Sequence, residues 1–146
     1  MPIDGYTTSV AAASTLDKVT KLLAAAKVRR IQTTYSDKGE ADGLIFQMDT
    51  PWGPRDFSLP INAEGVRQTL IRDRVEKRYK TIEHANRVAW RIAHKWLQAQ
   101  LAIIDAGMVT MHEVMFPYLI LGYDDQAQRP ITTYSHYTNT QKELTS

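Results

Sequence analysis

The chain has 146 residues, 43% hydrophobic and 23% charged, with a formal net charge of +2. That composition suits one globular domain with a core of its own. Cysteine is absent, which excludes a disulfide framework, a thiolate metal site and a thiol nucleophile and fits a reducing cytoplasm. The opening stretch MPIDGYTTSV has neither a charged leader nor a long apolar run, and no segment reaches the ~20 apolar residues of a membrane span. A soluble chain in the cytoplasm is expected.

Residues 1–13 are small and polar and read as a flexible arm. Ser14 is placed as an N-cap, with Asp17 three residues on approximating a capping box. Leu16, Val19, Leu22, Leu23 and Ala26 then recur at helical spacing and predict a helix over 15–27. The period next changes to two. Ile31, Thr33 and Tyr35 share one face, Leu44, Phe46 and Met48 another, and Phe57 and Leu59 a third. DKGEADG and TPWGP supply turn chemistry between these runs, so three short strands form an antiparallel meander whose apolar face needs helices to cover it.

Asn62 caps a helix expected over 63–74, carrying Val66, Leu70 and Ile71. RDRVEKRYK is charged enough to be a frayed end or an exposed connection. Thr81 caps a long amphipathic helix with Glu83 in its first turn, and Gly107 ends it. On that helix Val88, Ile92, Trp96, Ala99 and Ile103 form one apolar seam, which Ala89, Ala93, Leu97, Leu101 and Ile104 widen enough to meet both a sheet and another helix. Thr110 and Glu113 form a capping box that opens a short helix disrupted at Pro117. From Gly122 the chain turns polar and reads as an extended or disordered tail over 122–146. The expected whole is an α+β domain over 14–121: an N-terminal helix, the meander, then C-terminal helices. Leu22, Phe46, Phe57, Leu70, Ile92 and Trp96 are expected to be buried together.

Charge is segregated. Residues 66–95 hold nine Lys or Arg against three Asp or Glu, whereas the flanks sum to −1 and −3. Such a basic middle suits a polyanion, the alternative being a solvated helix face. The candidate nucleic-acid contacts are Arg67, Arg72, Arg74, Lys77, Arg78 and Lys80, then Arg87, Arg91 and Lys95, a ridge at intervals of four on the long helix. Asp124, Asp125 and Glu143 are acids that could neutralise this ridge from the C-terminal side. Trp52, Tyr79 and Trp90 are the candidate partner-contact aromatics. Core packing is the stronger reading for Trp90. Trp52 lies between prolines and a glycine at a hairpin tip, where burial is hard to arrange.

Catalytic patterns are thin. MHEV has His112 beside Glu113 but no second His four residues on, so it is not a zinc-protease helix. His84, His94 and His136 have no ligand spacing. The glycines form no phosphate loop. No catalytic residue, metal or cofactor is assigned.

The run RVAWRIAHKWLQAQLAIIDAGMVTMHEVMFPYL resembles a recurrent C-terminal signature of small bacteriophage and prophage proteins, and FSLPINAEGVRQTL is similar to the same family. The likeness spans roughly residues 28–121 and leaves out the arm and the tail. It implies a phage-encoded accessory protein in the bacterial cytoplasm. Three roles follow as expectations: a nucleic-acid-associated factor for replication or recombination, a modulator that blocks a host protein or a defence complex, or an assembly component. The partner is then nucleic acid or a host protein, not a membrane, and a homo-oligomer is allowed.

Overall fold

The computed structural model describes residues 2–145. Helix α1 (Ala12–Ala25) leads into strands β1 (Arg30–Tyr35), β2 (Ala41–Thr50) and β3 (Gly53–Ser58). Helix α2 (Ala63–Arg72) and a 3₁₀ turn (Lys77–Tyr79) precede the long α3 (Ile82–Asp105) and the short α4 (Met111–Met115). A second 3₁₀ turn (Phe116–Tyr118), strands β4 (Ile120–Asp124) and β5 (Arg129–Thr132), and helix α5 (Thr133–Thr145) complete the chain. The fold is α+β, with an N-terminal helix, a three-stranded antiparallel sheet in the order β1–β2–β3, and the long helix behind it.

Alternation of side chains across the pleat puts Leu44, Phe46 and Met48 on the buried face of β2. Phe46 pairs with Phe57 across β2 and β3, their rings stacked with centroids 5.5 Å apart. Val19 and Leu23 of α1 and Trp90 and Leu97 of α3 close over that face. Near the β1–β2 turn the register shifts, so that Tyr35 pairs with Ala41 and Thr34 with Gly43. This bulge resets the alternation: Ala41 points into the core and Asp42 is left exposed. The carbonyl of Ala41 accepts from Trp90 Nε1 at 2.8 Å and from Asn86 Nδ2 at 2.7 Å. Those two bonds tie the middle of α3 to the sheet.

The caps at Asn62, Thr81 and Thr110 form as expected, the last as a full capping box with Glu113. Gly107 follows α3 with φ of 78°, the left-handed position glycine tolerates best. Ser14 does not cap α1. The helix starts three residues earlier, with Ala11 at the cap and Ser14 inside the first turn, because the run of alanines favours helix. Asp17 pairs instead with Lys21, one helical turn on, at 3.0 Å.

Two expectations about the ends are corrected. The N-terminal arm is docked on α3: His84 Nε2 bonds the carbonyl of Tyr6, and Arg91 donates to the carbonyl of Asp4 at 2.8 Å. The chain after Gly122, expected as an extended or disordered tail, makes the β4–β5 hairpin and α5. A single bridge between Phe57 and Leu119 and the bond from Thr133 N to the Leu119 carbonyl fasten this unit beside β3. The domain therefore continues past 121.

The core list also needs revision. Phe46, Phe57 and Leu70 are buried, but Leu70 lies apart from the main cluster, on α2 where that helix packs on α3. Leu22 is half-buried against the cluster, and Ile92 is 38% exposed. Trp96 is half-buried, edge-on to Tyr118 with centroids 5.7 Å apart. Ile92 and Trp96 line an open groove of about 400 Å³ bounded by Val66, Thr69 and Tyr118. Trp90, not Trp96, is the central aromatic.

Candidate interaction surfaces

The basic segment is divided by its own fold into paired and unpaired cations. Arg67 pairs with Glu64 at 3.2 Å, Arg72 with Asp73 at 3.1 Å, and Arg78 with Glu76 at 3.1 Å. The guanidinium of Arg78 also lies 4.6 Å from the ring centre of Tyr79. On the ridge of α3, Lys95 reaches the Asp4 carboxylate at 3.3 Å and Arg91 reaches it at 3.6 Å. Hydrogen bonding from Lys95 and the charges of Lys95 and Arg91 hold the Asp4 carboxyl below its ordinary value. At Arg91 and Lys95 the ridge is thus offset by the N-terminal arm, whereas Asp124, an acid that sequence proximity had suggested, accepts from its own loop at Gln126 N and Ala127 N. Gly5 makes the docking possible. With φ of 73° and the Arg91 guanidinium standing where a Cβ would be, a side chain here would be strained and would have to displace Arg91.

Arg74, Lys77, Lys80 and Arg87 form no ion pair among the described residues. Arg74, Lys77 and Lys80 all lie in the connection between α2 and α3. No free aromatic accompanies them. Tyr79 is held edge-on by Tyr6 at 5.4 Å and tilted against His84 at 5.0 Å. Trp90 is fully buried, so its candidacy as a partner contact is withdrawn: the sheet and α1 occupy its surroundings and Ala41 its N–H.

Trp52 is the contrasting case. Pro51 and Trp52 form the two-residue connection of the β2–β3 hairpin, where Thr50 pairs with Gly53 and Gly53 adopts φ of 102°. The Thr50 hydroxyl donates to the Gly53 carbonyl at 2.7 Å and accepts from Trp52 N at 3.2 Å, fixing the loop. The indole is left 72% exposed, edge-on to His112 at 6.0 Å. Beside it opens a cleft of about 230 Å³ bordered by Arg55, His112 and Phe116, with buried Phe57 contributing to its lining. Phe116 is itself 58% exposed, because Pro117 forces the chain out of α4 into the 3₁₀ turn just there. Arg55 forms no ion pair among the described residues. Phe116 and Arg55 were not singled out in the sequence. The proline after Phe116 was the available signal.

A third surface, unforeseen in the sequence, is a cleft of about 420 Å³ between the β1–β2 turn and the starts of α2 and α3. Asp37, Lys38, Glu40, Asp42 and Glu83 surround it, and Asn86 lines it. Lys38 and Glu83 are joined at 2.7 Å, which raises the lysine and lowers the glutamate from their ordinary values.

The four histidines are dispersed. His84 is buried against the arm, His94 lies half-buried near the charge of Lys18, His112 meets Trp52, and His136 sits on α5. Among the described residues no cluster of three or more His, Asp or Glu could hold a metal ion, and no helix is long and apolar enough to cross a membrane. Comparison with protein-family models, with curated proteins and with solved structures gave no match.

Proposed function

We propose that this chain acts by binding a protein, with Trp52 as the anchor, as a phage-encoded accessory factor that engages a host protein in the bacterial cytoplasm. The observation that carries the reading is the exposure of Trp52 on a loop held rigid by its own hydrogen bonds, beside an open apolar cleft. Exposing two large aromatics, Trp52 and Phe116, side by side costs solvation that a monomer has no reason to bear. Trp and Arg are also the residues on which binding energy concentrates at interfaces. Arg55 at the rim donates to the Pro54 carbonyl but has no carboxylate partner among the described residues, so the fitting surface is an apolar side chain flanked by an acid. Phage origin and cytoplasmic location rest on the resemblance of residues 28–121 alone.

Affinity capture from nuclease-treated bacterial lysate tests this reading. Wild type and the variant Arg74→Gln/Lys77→Gln/Lys80→Gln should retain the same protein, and Trp52→Ala should lose it. Loss of an interface tryptophan commonly weakens binding by about 30-fold or more. Trp52→Ala should leave the thermal midpoint unchanged, since its side chain is outside the core. Undiminished capture by Trp52→Ala overturns the proposal.

A second reading, binding of nucleic-acid phosphates, is favoured by one observation: Arg74, Lys77 and Lys80 lie on one connection, the first two exposed and the third half-buried, and none has a carboxylate partner among the described residues. That reading predicts binding to labelled oligonucleotides at low salt that weakens steeply as salt rises.

A further inference from the structure

The three-stranded sheet has two edges, and the chain protects only one of them. On the outer side of β3, Pro54 has no N–H to offer and Phe57 is bridged to Leu119. β1 is the other edge, and no strand pairs with it beyond β2. Register shows which of its groups are left over. Leu59 N bonds the Leu44 carbonyl, and Phe46 faces Phe57 in the same register. Leu44, Phe46 and Met48 therefore turn their backbone groups to β3. Ile45 and Gln47 turn theirs to β1, where Gln32 and Arg30 meet them. By alternation the N–H and C=O groups of Ile31, Thr33 and Tyr35 point away from the sheet, and no group among the described residues bonds them there. Such an edge is a template for another strand, and proteins usually blunt it with charge or proline. Ile31 to Tyr35 carries neither.

The edge is complementary to itself. Two antiparallel copies of β1, related by a two-fold axis at Thr33, set Thr33 against Thr33 and Ile31 against the second copy's Tyr35. The residues of each pair exchange N–H···O=C bonds. Threonine pairs, and aromatic residues paired with β-branched ones, are both favourable across strands. Tyr35, 62% exposed in the single chain, gains an apolar neighbour. On the opposite side of the pleat, exposed Gln32 faces exposed Thr34. Just past the strand Arg29 comes opposite Asp37, a carboxylate with no ion pair among the described residues, while keeping Asp49 through Nε and Nη2. Neighbouring registers fit less well. Sliding by two residues one way sets Arg30 against Lys38, and the other way carries Tyr35 onto Arg29, outside the strand.

We propose that β1 is a dimerisation edge, on which a second copy of this chain pairs its own β1 antiparallel about Thr33 and joins the two three-stranded sheets into one. The contact is isologous, the closed two-fold form commonest among homo-oligomers. A six-residue edge buries less than the roughly 800 Å² per partner of a standard interface, so the dimer is weak and forms reversibly at high local concentration. Trp52 lies on the β2–β3 loop and takes no part, so the dimer stands or falls separately from the Trp52 reading.

Sedimentation velocity over a concentration series up to the millimolar range, with amide exchange followed by NMR across the same series, tests the assignment. The dimer fraction should grow with concentration. The amides of Ile31, Thr33 and Tyr35 should become protected as it does, while those of Gln32 and Thr34, already bonded to β2, stay protected throughout. Two double variants at exposed positions test the register. Gln32→Lys/Thr34→Lys places like charges directly opposite each other across the two-fold axis and should raise the dissociation constant about two- to tenfold. Gln32→Glu/Thr34→Lys places opposite charges there and should lower it by about the same factor. Trp52→Ala should dimerise as the wild type does. A chain that stays monomeric throughout overturns the proposal, as do double variants that shift the constant alike or a dimer lost in Trp52→Ala. Dimerisation without new protection at Ile31, Thr33 and Tyr35 overturns it too, and that reading in the native protein depends on no variant.

Discussion

Trp90 and Trp96 stand six residues apart on one helix, yet different physics governs them. Trp90 is fully buried and its N–H reaches the Ala41 carbonyl, so truncation removes a large core volume and one of two donors to a buried acceptor. Trp90→Ala should cost roughly 3–5 kcal/mol in urea melts. Trp96 is half-buried over an open groove, and Trp96→Ala should cost less, about 1–3 kcal/mol. An inverted order would place the core on the other seam of α3. Residue-scale electrostatics gives a pH expectation as well. His94 is held below its ordinary value, first by desolvation and then by the charge of Lys18. Because its native value is depressed, its contribution is complete above the ordinary histidine range. That contribution is lost as pH falls through the depressed native value. Asp4 is likewise depressed, by Lys95 first. Its hold on the arm should be full near neutrality and disappear only below the ordinary aspartate range. NMR titration of His94 and of the arm should show two separate events, histidine first as the pH is lowered.

At the scale of elements, the N-terminal arm is the clearest case of structure decided by one small residue. Gly5→Ala would place a methyl on the Arg91 guanidinium in a backbone conformation that alanine adopts reluctantly. The expected result is an undocked arm with α1 to β3 intact, seen as faster amide exchange at Tyr6 and Thr8 and little change in the urea midpoint. Both amides donate to arm carbonyls in the native turn, Tyr6 N to Ile3 and Thr8 N to Gly5. Unchanged exchange would show that Arg91 yields instead. Nothing in the arm's composition announced this docking, because the contacts are between residues some 80 to 90 positions apart. The strands and helices from Arg30 to Met115 were legible because each carried its own period and its own cap. The meander, the caps at Asn62, Thr81 and Thr110, and the end at Gly107 all rest on local chemistry. The final hairpin and α5 were not legible. Their Thr, Tyr, Ser and Asn residues are weak helix formers, and α5 has no buried residue to set a stripe. The bulge at Ala41, which creates the acceptor for Asn86 and Trp90, is a registry event with no sequence period of its own. Of the candidate site, the exposed Trp52 could be read from its prolines and glycine; the Phe116 side of its cleft and the Asn86 cleft are products of tertiary packing.

Over the whole molecule, segregated charge does not translate directly into a polyanion surface. The excess over 66–95 is +6 by sequence, but Asp4 folds back from outside that window onto Arg91 and Lys95. This makes the salt dependence of oligonucleotide binding a sharp discriminator. Each phosphate contact contributes about 0.7–0.9 to the slope of log K against log[salt]. If nucleic acid binds through Arg74, Lys77 and Lys80, the wild-type slope should be roughly −2 to −3. Replacing those three with Gln should abolish it. Arg91→Gln/Lys95→Gln should change it little, because both side chains are engaged by Asp4. Asp4→Asn is the decisive variant. It removes the acid without altering side-chain shape and frees Lys95, while Arg91 keeps its bond to the backbone carbonyl of residue 4, so the slope should steepen by up to about 0.7–0.9. A steeper slope in Asp4→Asn together with a measurable wild-type slope would establish a phosphate-binding face gated by the arm. A wild-type slope near zero at low salt, with Asp4→Asn alone gaining binding, would mean that the arm masks the ridge in the native protein. In that outcome the basic segment is a solvated face, and Trp52 carries the interaction.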